Sequence, residues 1–174
     1  MLFRLIEPTI EMEKEYLEYI DEWEKSRENI VPYASRRSIS NYEELLNFWR
    51  DMATSKAYEK GFVPSTLYFL VGEDKKIYGS LHVRHELNDY LLNYGGHIGY
   101  GIRPTQRKKG YASKMLSEAL LLPIIKELDI KKVLITCDKS NTASAKTIIS
   151  NGGILENEIM EDGEVTQRYW IEIH

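Results

Sequence analysis

The chain has 174 residues, a formal net charge of −4, 43% apolar and 29% charged residues. That is enough apolar material to bury one real core, and the acidic balance excludes a protein that grips nucleic acid over a broad basic face. A lone cysteine, Cys137, rules out an intrachain disulfide, and with 4 histidines it argues against a structural zinc site.

The N-terminus, MLFRLIEPTIEMEKEY, lacks the apolar core of a secretion signal. Ala119 to Ile125 is the longest apolar run, carries Pro123, and falls far short of the ~20 residues that span a bilayer. A cytoplasmic chain with no membrane partner is expected. Leu2 to Ile6 reads as a short first strand. Ile10 to Lys25 repeats its apolar residues at helical spacing, and Asn41 with Glu44 three residues on opens a second helix running to about Ala57. Gly61 to Pro64 breaks that helix. TLYFLVGED and KIYGSLHVRHEL then form a hairpin about Gly72 to Lys75, and Asn88 to Gly96 connects, with LLNYGG free to add a little strand.

HIGYGIR is the next strand, ended by Pro104. Gly110 to Leu128 is helical, kinked at Pro123. Lys132 to Cys137 is a β-branched strand, Asn141 to Asn151 a helix closed by Gly152-Gly153, and ILENEIM with VTQRYWIEI a final hairpin. The order is β-αα-ββ-β-α-β-α-ββ, a mixed α/β (α+β) fold. With no repeat, linker or low-complexity stretch, residues 1–174 read as a single domain.

Within this order one segment stands out. GIRPTQRKKGYASKML places Arg103, Arg107, Lys108, Lys109 and Gly110 immediately before a helix. A helix start offers unpaired N–H groups and partial positive charge, a mould for an anion. There is no G-x-x-x-x-G-K-[ST] and no G-x-G-x-x-G, which disfavours a nucleoside triphosphatase and a dinucleotide fold.

Arg107-Lys108-Lys109-Gly110-Tyr111-Ala112 resembles the R/Q-x-x-G-x-G/A signature of the GNAT superfamily of N-acetyltransferases. The element order agrees along nearly the whole chain, and Asn141-x-x-Ser144 followed by Gly152-Gly153 is similar to the family's second cofactor segment. RHELN, GGHIGYGIRP, TCDKSN and NGGILENE resemble a subgroup of bacterial predicted acetyltransferases. The resemblance implies a central, mostly antiparallel sheet of six or seven strands flanked by helices, splayed between HIGYGIR and KVLITC, with acetyl-CoA as cosubstrate and no metal. It implies that Arg107, Lys108, Lys109, Gly110, Tyr111 and Ala112 hold the coenzyme A pyrophosphate, Ser113 adding a hydroxyl. Tyr100, Gly101 and Ile102 would pair with the pantetheine arm, with Asn141 and Ser144 beside it. A homodimer is frequent in the superfamily.

Acetyl transfer needs a neutral amine, and neutralising an alkylammonium of pKa about 10.4 at pH 7 costs roughly 4.6 kcal/mol. A desolvating pocket or a general base must supply part of this. His97, Tyr100, His85 and Glu86 are the candidate catalytic residues, and Arg84, His85 and Asn88 candidate contacts to the acceptor. His82, Arg84 and Glu86 share one face of their strand, Val83 and His85 the other. The family's usual acid, a tyrosine seven residues after the motif asparagine, is replaced by Ile148, which leaves the acid unassigned. Asn141 also suits a helix cap, Cys137 a buried structural thiol, and Arg36 and Arg37 either solvent or an acidic acceptor. Two functions follow: an N-acetyltransferase acting on a primary amine of a small molecule or peptide by direct transfer, or a non-catalytic acyl-CoA sensor on the same fold.

Overall fold

Strands β1 (Phe3–Ile6), β2 (Ser65–Gly72), β3 (Ile77–Arg84) and β4 (Ile98–Ile102) pair antiparallel in that order. The computed structural model describes residues 1–174. A second antiparallel sheet holds β5 (Lys132–Asp138), β6 (Ile154–Glu161) and β7 (Glu164–Glu172), in the order β5-β7-β6. The seven strands of the expectation are thus divided between two sheets that part at β4 and β5.

Both faces of β2 are buried because helices cover each side. Helices α1 (Glu13–Ser26) and α2 (Tyr42–Met52) place Tyr16, Tyr19, Trp23, Leu45 and Trp49 against Leu67 and Phe69. On the other side, α4 (Tyr111–Ala119), α5 (Pro123–Glu127) and α6 (Thr142–Ser150) pack Met115, Leu116, Ile125 and Ile148 against Leu70, Leu81, Ile98 and Val133. A one-turn helix, α3 (Lys56–Glu59), leads into β2. The Asn41 carboxamide caps α2 by accepting from the Glu44 N–H at 3.0 Å.

Three elements differ from expectation. The second helix stops at Met52 and not near Ala57. There the Thr54 hydroxyl donates to the Asp51 carbonyl at 2.6 Å, and the chain restarts as α3. Residues 110–128 form two helices instead of one kinked helix: Leu122, preceding a proline, is extended at ψ 139°, and Pro123 begins α5. Residues 91–95 make a wide π-type turn and no strand. Asn88 caps this turn through the Leu91 N–H at 2.9 Å, and Gly96 closes it at φ +68°. A Cβ on Gly96 would lie 2.6 Å from the Leu134 carbonyl oxygen, so no larger residue fits.

Candidate active site

The two sheets are joined around the start of β4, where Thr136 and Arg168 of the second sheet also donate to the Tyr94 and Leu92 carbonyls of the preceding turn. His97 donates its backbone N–H to the Leu134 carbonyl at 2.7 Å, and the Leu134 N–H donates to His97 Nδ1 at 2.9 Å. Past that joint the strands diverge. On the β3 side, backbone bonds from Arg84 to His97 (2.7 Å) and from Arg103 to Tyr78 (2.8 Å) set the ladder's alternation. Gly99 and Gly101 therefore turn their peptide groups to β3, whereas those of Ile98, Tyr100 and Ile102 turn to the gap. An open strand edge of this kind accepts an extended ligand as an added strand.

The loop after β4 ends at the same opening. Lys108 and Gly110 adopt φ +61° and +81°, which turns the chain sharply into α4. No backbone N–H from Arg107 through Ser113 donates a hydrogen bond within the chain; the first donor beyond them is Lys114, to the Gly110 carbonyl at 3.2 Å. A Cβ on Gly110 would meet nothing within 4 Å, so its role is conformational and the space before it is open. Unpaired N–H groups at a helix start, with open space before Gly110, form the kind of arrangement that can take an anion.

The four basic side chains divide. Arg103 is 7% exposed and points inward, pairing with Glu22 at 2.5 Å while Glu22 also accepts the Thr105 N–H at 2.8 Å. Arg107 pairs with Glu28 at 2.8 Å and lies over the Trp23 ring, 5.0 Å from its centroid. These two arginines tie the loop to α1, so the cluster that the sequence groups before the helix is not one uniform set of solvent-facing cations. Lys108 is exposed, and Lys109 bonds only Gln106, at 3.0 Å. The Ser113 hydroxyl is engaged with Ser150 at 3.1 Å and Asn151 at 3.2 Å.

Across the gap, the Tyr100 hydroxyl lies 2.9 Å from Ser144 Oγ, and Asn141 caps α6 by accepting the Ser144 N–H at 3.1 Å. The fold thus gathers Tyr100, Asn141 and Ser144, which are far apart in sequence. Burial pushes the Tyr100 phenol up, with Ser144 opposing and nearby Cys137 reinforcing, so it stays protonated at neutral pH. Burial also pushes the half-buried Cys137 thiol up.

The other candidates sit around the joint and beyond it. Burial holds His97 down to about 4, with Arg84 adding to the effect. With Nδ1 accepting from Leu134, its neutral ring carries the proton on Nε2 and has no free lone pair for a base. His85 Nε2 is 2.8 Å from the Thr66 hydroxyl, and the Glu86 carboxylate accepts the Tyr58 hydroxyl at 2.5 Å. Arg84 Nη1 donates to the carbonyls of Gly95 (2.9 Å) and Gly96 (3.1 Å). Asn88 caps the turn described above. His85, Glu86 and Asn88 are therefore each engaged within the chain. His82, opposite Gly99 in the ladder, has no hydrogen bond to either ring nitrogen within the chain, and burial, then Arg84, holds it down to about 3. The sequence groups His82 with Arg84 and Glu86 on one strand face and assigns it no role. The pairing with Gly99, which has no side chain to cover it, is what singles it out. No group of three His, Cys, Asp or Glu side chains is gathered to hold a metal, and no helix is long and apolar enough to cross a membrane.

Residues 4–154 match the family model of the acetyltransferase (GNAT) domain. No curated protein matches the chain in sequence. Among solved structures, a mutant of the spermidine N-acetyltransferase SpeG from Vibrio cholerae superposes with a TM-score of 0.63 at 16% identity, covering 99% of this chain and 95% of that one. A chimera of the same enzyme with hSSAT gives a TM-score of 0.66 at 14% identity, over 99% and 96%. At such identities the likeness is one of fold.

Proposed function

The chain belongs to the GNAT acetyltransferase family, and from this premise we propose that residues 1–174 form one N-acetyltransferase domain that moves an acetyl group from acetyl-CoA to a primary amine by direct transfer. The observation that carries the reading is the run of undonated N–H groups from Arg107 to Ser113 at the start of α4. Those amides hold the diphosphate, and Lys108 and Lys109 add long-range attraction. The gap-facing peptide groups of Tyr100 and Ile102 pair with the pantetheine arm, beside Asn141.

The amine lone pair attacks the thioester carbonyl, an N–C bond forms, the C–S bond breaks, and the amine loses one proton while the departing sulfur gains one. A gap-facing backbone N–H, such as that of Ile98, donates to the developing oxyanion. Tyr100, protonated and held by Ser144, is the donor to the leaving sulfur, filling the role left vacant by the buried Ile148. His82, with its ring nitrogens unbonded on the opposite face of the sheet, receives the amine proton directly or through water. His97 fixes the joint instead of acting as base.

The absence of a hydroxyl at Ile148 favours a second reading, an acyl-CoA sensor without turnover. Calorimetry with coenzyme A, followed by thiol release from acetyl-CoA over a panel of amines, separates the two. Binding with release supports the transferase. Binding without release on any amine supports the sensor, and no binding overturns both.

A further inference from the structure

Two arginines are buried in this fold, and each carries a carboxylate partner: Arg103 with Glu22, and Arg168 with Glu156. Arg84, half-buried, has none. Its Nη1 is spent on the Gly95 and Gly96 carbonyls, whereas Nε and Nη2 make no hydrogen bond within the chain and no acid pairs with it. Burial depresses its basicity, and the neutral Tyr90 phenol nearby is no counter-ion. A half-buried guanidinium without a counter-ion gains from one, and a planar fork with free donors matches a carboxylate.

The position of Arg84 relates this free fork to the thioester gap. Its Nη1 lies 4.0 Å from where a Cβ of Gly99 would stand, and Pro32 walls the same spot at 3.5 Å. This is the face of the β3–β4 pair that also holds His82, opposite the face of Tyr100. At the rim, Arg36 sits 4.5 Å above the Tyr33 ring centroid and donates to the Ile30 carbonyl, again without an acid. Arg36 thus belongs to the same segment as Pro32, which packs over Gly99.

We propose that the acceptor is an amine that carries a carboxylate, of the amino-acid type, and that Arg84 anchors that carboxylate over Gly99. The inference rests on the acetyl-transfer reading above. It sets this chain apart from its structural neighbours in substrate class, since a polyamine would bring positive charge to two uncompensated guanidinium groups. An anion on Arg84 also offsets the positive field that helps hold His82 unprotonated, so acceptor binding would make the imidazole a better base.

The test pairs each proteinogenic L-amino acid with its α-carboxamide, and includes spermidine, in a thiol-release assay. The folded protein is expected to prefer the carboxylate member of its best pair by about tenfold or more in kcat/KM. Arg84→Gln should lose that preference, with KM for acetyl-CoA changed less than about twofold, and Arg84→Lys should regain part of it. Equal or better use of the carboxamide or of spermidine by the unaltered protein would overturn the anchor, as would a preference that survives in folded Arg84→Gln. A second arm reads binding alone, as the thermal shift given by N-acetyl amino acids against their carboxamides with coenzyme A present. If no amine is turned over yet carboxylate-dependent stabilisation is seen and is lost in Arg84→Gln, the anchor stands and the transferase reading fails. No carboxylate-dependent shift in that arm overturns the anchor, and turnover without preference overturns it while leaving the transferase reading intact.

Discussion

Leu134 donates its backbone N–H to Nδ1 of His97, and His97 returns its own backbone N–H to the Leu134 carbonyl, at 2.9 and 2.7 Å. One side chain therefore completes a rung that two backbones would otherwise share. On one side of that rung the sheets are pinned together, and on the other they open into the gap that Tyr100 and Ser144 bridge.

Removing this imidazole should loosen the joint more than it alters chemistry at the site. In His97→Ala a buried N–H loses its acceptor and a small cavity opens, a loss of about 2–4 kcal/mol. Chemical denaturation measures it. His97→Asn, which offers an oxygen near the same place, should recover part of the loss, and a stability equal to that of the unaltered protein in His97→Ala would refute the joint.

Acid should destabilise the chain through its histidines. His97 lies at about 4 and His82 at about 3 when folded, both below the ordinary 6.5. Between those values and 6.5 the unfolded chain binds more protons, so stability rises with pH and is lost as pH falls from 6.5 toward 3. Denaturation midpoints measured across that window should decline on acidification, and His82→Gln should flatten the decline. A flat profile would contradict the buried, neutral imidazoles.

Tyr100→Phe keeps the ring and deletes the hydroxyl that meets Ser144. Turnover is expected to drop by roughly a hundredfold, within the range for a lost general acid, while KM for acetyl-CoA moves only a few-fold. Unchanged kcat would remove Tyr100 from the proton path and return the acid to water.

The basic cluster should separate into two kinds of residue. Lys108→Ala with Lys109→Ala should weaken coenzyme A binding about tenfold at low salt and flatten its salt dependence. Arg103→Met leaves Glu22 without its inward partner and should cost stability first, roughly 2–4 kcal/mol given that Glu22 is partly exposed. If Arg103→Met leaves stability intact and the lysine variant binds normally, the division is wrong.

The sequence carried the element order because strand alternation, the Asn41 cap and the glycine-bearing turns are local signals. The candidate anion loop was visible for the same reason, since Arg107 to Ala112 is contiguous. Element ends depended on side-chain bonds such as that of Thr54 to Asp51, which no periodicity encodes. The inward turn of Arg103 was hidden because its partner, Glu22, lies 81 residues away on α1. His97 read as a candidate catalytic residue on the strand HIGYGIR, but only the position of Leu134 shows that its acceptor nitrogen is occupied. Arg84 read as one of three candidate contacts to the acceptor, and its missing acid became visible only once the buried arginines had found theirs.

The central claim is that the undonated amides at the start of α4 receive a diphosphate. The most direct measurement is a titration of isotope-labelled protein with coenzyme A, following backbone amide resonances. Saturable shifts centred on residues 107–113, with smaller ones at 100–102, are the predicted result. Saturable shifts confined to another part of the chain, or none at all, would contradict it.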